Sequence, residues 1–111
     1  MKASDFDLHL EELSRRSLDR LLCAEVFDLA AFQALYAYLS EKATAIKAEH
    51  VVSKQVLLTL LRVSDALRTY ADHNEAVRQN LNLAADFAML LGLIAIGEDG
   101  SDRRSGIPRI A

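Results

Sequence analysis

The sequence predicts an all-α protein: an up-down antiparallel bundle of about four helices, followed by a polar, flexible tail. Three observations carry this. Three of the four Gly (Gly97, Gly100, Gly106) and the single Pro (Pro108) fall in the last fifteen residues, so only Gly92 interrupts what precedes them. Leu (19) and Ala (17) outnumber Val, Ile and Thr (6, 5 and 3), the β-branched residues whose χ1 freedom a helix restricts. Apolar residues also recur at alternating steps of three and four, the period of a helix with one face turned to a core.

With breakers absent, boundaries are read from caps. Ser4 or Asp5 caps a first helix carrying Phe6, Leu10, Leu13 and Leu18, with Asp7, Glu11 and Glu12 near its positive end. From Ser17 a seam follows through Leu18, Leu22, Glu25, Leu29, Phe32, Tyr36, Leu39, Ala43 and Ile46, and only Glu25 breaks it. The reading favours one long helix to roughly His50; the alternative is an interruption near Glu25 to Phe27 and a restart behind Asp28 as N-cap.

Ser53 caps the third helix, through Val56, Leu60, Val63, Leu67 and Tyr70 to Asp72 or His73, where a terminal imidazole suits the negative end of the dipole. Asn74 caps a fourth helix from Glu75 to Ile96, with Gly97 as its left-handed terminator. Short connections place successive helices antiparallel. The bundle domain covers residues 1–97 and the polar tail residues 98–111.

Composition bounds the function. A chain of 111 residues, 51% apolar and 26% charged, is one folded domain. The net charge of −3 gives no global positive field for a nucleic-acid backbone. The basic trio Arg15, Arg16 and Arg20 is offset by Glu11, Glu12 and Asp19. One cysteine, Cys23, forms no internal disulfide and, set among Leu21, Leu22 and Val26, reads as a small core residue. The start, MKASDFDLHLEEL, lacks the apolar run of a signal peptide, so the expected location is cytoplasmic. No phosphate-cradling loop, nucleophile elbow or zinc motif occurs, and no cofactor is expected.

The most informative segment is the last helix. Between Leu83 and Ile96 only Asp86 is charged, so the run must be covered. Fourteen residues rise about 21 Å, short of the roughly 30 Å of hydrocarbon a spanning helix crosses. A small bundle wraps an inner helix incompletely, and Ala84, Ala88, Gly92 and Ala95 form a narrow strip where another helix fits, either one of a partner or, as the alternative, the second or third helix of the same chain. The expected interface is Ala84, Phe87, Ala88, Leu90, Leu91, Gly92, Leu93, Ile94 and Ala95, and the expected partner a second copy of the chain. Asp86 either points outward or pairs across that interface.

Three local patterns are weighed beside this. Asp5, His9 and Glu12 share a helix face, a spacing that suits a divalent ion, but no second His or Cys completes a set, and a solvated charged face is expected. Arg68-Thr-Tyr-Ala-Asp-His73 resembles the Arg-x4-His motif of HEPN-type ribonucleases, small all-α dimeric enzymes. That resemblance implies His73 as general base or acid and Arg68 as the phosphate-stabilising cation; the alternative is an Arg68–Asp72 pair with His73 at a helix end. Ser105-Gly106-Ile107-Pro108, flanked by Arg103, Arg104 and Arg109, resembles the S-x-I-P peptide that binds microtubule plus-end proteins. The leading expectation is a non-catalytic cytosolic association module, either a homodimer or an adaptor, inhibitor, immunity-type or regulatory partner; the ribonuclease is the alternative.

Overall fold

The computed structural model describes residues 6–47 and 52–96. Ser4, Asp5, His50, Gly97 and the 98–111 tail, with its S-x-I-P match, lie outside them. Every described element is helical: α1 (Leu8–Ser14), a π-helical turn (Arg15–Asp19), α2 (Arg20–Ala24), α3 (Leu29–Ile46), α4 (Lys54–Tyr70), α5 (Glu75–Gln79) and α6 (Asn82–Ala95). The all-α bundle is as expected, with three changes of boundary.

First, α1, the π turn and α2 form one continuous rod. Ser17 starts no new helix, because its Oγ donates back to the Leu13 carbonyl at 2.8 Å and stays inside the rod. The cap is Asp7, whose carboxylate accepts the Leu10 amide at 3.0 Å. The helix thus begins after Phe6, which is left exposed. The wider π turn rotates Leu18 into line with Leu10, Leu13 and Leu21, all buried.

Second, the long helix to His50 is interrupted, as the alternative had it. Glu25 takes a left-handed conformation at φ 55°, and Asp28 recaps the chain by accepting the Ala31 amide at 3.2 Å. The new phase buries Phe32, Leu35, Leu39, Ala43 and Ile46. It also leaves Leu22 and Cys23 facing outward, so the thiol is no core residue. A non-glycine residue in the left-handed region is strained. Glu25→Gly is therefore expected to raise stability by about 0.5–1 kcal/mol in a urea titration.

Third, the helix behind Asn74 bends. Asn74 caps it as expected, accepting the Val77 amide at 3.2 Å. At Asn80 the backbone leaves the helical region, and its side-chain amide donates to the Ala76 carbonyl at 2.9 Å. The break separates α5, which buries Val77, from α6, which packs along α4.

One core joins all of this, with Phe32 and Phe87 wholly buried; burying each such ring contributes about 2–3 kcal/mol. Contacts along the rods show the up-down order. Asp7 at the start of α1 meets Tyr38 and Lys42 late in α3 and Gln55 at the start of α4. Tyr70 at the end of α4 reaches the Leu22 carbonyl at the end of α2. The molecule measures 38 × 36 × 18 Å, a slab whose thin dimension leaves broad helix faces on the outside.

Candidate functional site

The expected interface on α6 divides in two. Ala84, Phe87, Leu90, Leu93 and Ile94 are buried in the chain's own core, and Phe87 meets the Tyr36 ring edge-on at 5.3 Å. Leu91 is half-buried against the same core. Ala88 is half-exposed, and Gly92 and Ala95 are exposed. Most of the helix's bulky side chains gather on one arc, while Ala85, Gly92 and Ala95 face outward and Ile96 at its end is 58% exposed. Asp86 is half-buried and takes part in no ion pair.

Gly92 is informative. A Cβ built on it meets nothing within 4 Å, so no close approach among the described residues requires glycine there. A mid-helix glycine costs about 1 kcal/mol relative to alanine.

The next helix face is one that sequence reasoning missed. On α4, Val56, Leu60, Val63 and Leu67 form the buried stripe. Two positions earlier in each step, Lys54, Leu58, Leu61 and Asp65 form a second stripe on the opposite side, all exposed. Leu58 is 54% exposed and Leu61 50%. The legible signal was the doubled Leu57-Leu58 and Leu60-Leu61, which no single helix face can bury. The Ser64 hydroxyl, 3.4 Å from the Ala84 carbonyl, sets α6 beside α4. Both helices thus carry exposed apolar positions, Leu58 and Leu61 on α4 and Gly92 and Ala95 on α6. Phe6 and Leu8 are exposed as well, on either side of Asp7, whose amide and carbonyl both bond the Gln55 side chain at the start of α4, at 2.7 and 2.9 Å.

The buried polar centre is elsewhere, at the Asp7 node. One Asp7 oxygen caps α1, and the other accepts the Tyr38 hydroxyl at 2.5 Å and the Lys42 ammonium. Burial alone would raise the Asp7 carboxyl, but hydrogen bonds from Lys42, Tyr38 and the Leu10 amide, with the Lys42 charge, hold it at about 2. Burial, with Asp7 and Glu41 as negative neighbours, pushes Tyr38 up to about 12. Every polar atom of the node is satisfied within the chain, which makes it a clamp joining α1, α3 and α4. His9 packs its ring edge-on against Tyr38 at 4.7 Å, and Glu12 bonds Arg15 and Arg16. The Asp5, His9 and Glu12 pattern is therefore drawn into other contacts where it is described. No group of three metal-ligating side chains occurs among the described residues.

Arg68 and His73 are both exposed. Arg68 makes no ion pair with Asp72, and His73 lies beyond the end of α4 with its ring 5.3 Å from Tyr70. No hydrogen bond links the two residues.

No protein-family model, curated protein or solved structure matches the chain. Function is therefore argued from the surface alone. No helix among the described residues is long and apolar enough to cross a membrane.

Proposed function

We propose that this protein is a non-catalytic cytosolic association module whose working surface is formed by the outward faces of α4 and α6, and that its first partner is a second copy of itself. Adaptor, inhibitor and immunity-type roles use such a face in the same way. The observation that carries the reading is the pair Leu58 and Leu61, each at least half exposed on a helix whose opposite side already fills the core. Two large apolar side chains exposed one turn apart on the same helix face are of the kind that marks an interaction site. A single thiol, exposed at Cys23 and unpaired in the chain, suits a reducing compartment.

Sedimentation velocity tests the reading. The native chain is expected to shift from 12.3 kDa toward twice that mass across the micromolar range. Leu61→Asp is expected to stay monomeric while keeping its helical circular dichroism, because position 61 faces water in the single chain. A native chain that remains monomeric throughout would overturn the reading. RNA incubated with the protein is expected to stay intact; cleavage abolished by His73→Ala would overturn the non-catalytic part.

A further inference from the structure

The stripe on α4 has an internal symmetry that specifies how two copies meet. Lys54 stands four residues before Leu58, and Asp65 four residues after Leu61. At about 100° per residue the four side chains lie within a 60° arc, directly opposite the buried stripe. Read in either direction, the stripe is a charge, a leucine, a leucine and the opposite charge, with spacings of four, three and four. Lys54 and Asp65 are exposed, and among the described residues neither takes part in an ion pair.

We infer that two copies pair through α4 in antiparallel fashion about a two-fold axis passing between Leu58 and Leu61. In this register Leu58 packs on Leu61 of the partner subunit, and Lys54 meets Asp65 of the partner subunit, each contact made twice. This deepens the association reading and rests on it. The charges exclude the neighbouring registers on the same stripe. Centring the axis on Leu61 brings Lys54 opposite Arg68, and centring it on Leu58 brings Lys54 opposite Arg62; both are like-charge contacts repeated by symmetry. Only the intermediate register pairs opposite signs.

Charge exchange tests the register. Lys54→Glu alone places two acids opposite each other at both ends of the seam, and Asp65→Lys alone places two bases there. Each variant is expected to keep its fold by circular dichroism and to self-associate about tenfold or more weakly than the native chain. Mixed in equal amounts, the two are expected to form a heterodimer of near-native affinity, since every end pair then joins opposite charges. A native dimer whose affinity is unmoved by either exchange, with no preference for the mixed species, would overturn the register and leave the association reading standing. A native chain that does not dimerise would overturn both.

Discussion

Leu90→Asp is expected to abolish the folded state, leaving a chain without a cooperative thermal transition. Leu90 is 2% exposed, on the arc of α6 that packs along α4. Removing its side chain alone costs about 2–5 kcal/mol in lost burial and cavity. An unpaired carboxylate in its place adds several kcal/mol more, because nothing in that apolar arc donates to it. Together these approach the roughly 5–15 kcal/mol that holds a domain of this size. The comparison with Leu61→Asp is what matters. Both substitutions place the same charge on an apolar position, yet one is expected to unfold the chain and the other only to separate copies. Thermal melts followed by circular dichroism distinguish them, and a folded, monomeric Leu90→Asp would show that this arc of α6 is not core.

Asp7→Ala is expected to cost about 3 kcal/mol. The substitution removes the α1 cap, worth about 1 kcal/mol, and leaves the largely buried Lys42 ammonium and the Tyr38 hydroxyl without their acceptor. The loss appears as a lower urea midpoint with an unchanged slope. The same node gives a signed pH dependence. With its carboxyl held at about 2 against an ordinary 3.8, Asp7 contributes stability that is complete above about pH 4 and lost as the pH falls through about 2. The full contribution is about 2 kcal/mol. Tyr38, pushed from 10.0 up to about 12, contributes in the opposite sense: its share is complete below pH 10 and disappears as the pH rises through 12. Urea midpoints across the acid range should fall for the native chain more steeply than for Asp7→Ala.

Capping residues were the most legible part of the sequence. Ser53 and Asn74 both cap where their side chains suggested, and Asp28 caps at the position held as the alternative. Such caps act within three residues, so local sequence contains the whole interaction. Ser17 misled because a serine hydroxyl bonds forward as a cap or backward to a carbonyl within the same few residues, and tertiary packing of Leu18 and Leu21 decided the matter. The bend at Asn80 is similar: the gain lies in bringing α6 onto α4, a contact between residues twenty apart in sequence at Ser64 and Ala84. The site was half legible. An apolar α6 was read as needing cover; the fold buries Phe87, Leu90 and Leu93 within the chain and leaves Gly92, Ala95 and Ile96 outward, a division that depends on which helices pack against it. The α4 leucines were passed over because the buried stripe alone accounted for the helix. Which of two parallel apolar stripes stays outside is settled only when the other helices choose their sides.

The central claim is that the outward faces of α4 and α6, and not the ends of the bundle, join one copy to another. Amide and methyl NMR shifts followed over a dilution series test it most directly. The account predicts concentration-dependent shifts confined to Lys54, Leu58, Leu61, Asp65, Ala88 and Gly92, with the Leu22, Val26 and Leu81 end unmoved. Shifts clustered at that opposite end, or a spectrum unaltered by dilution, would contradict it.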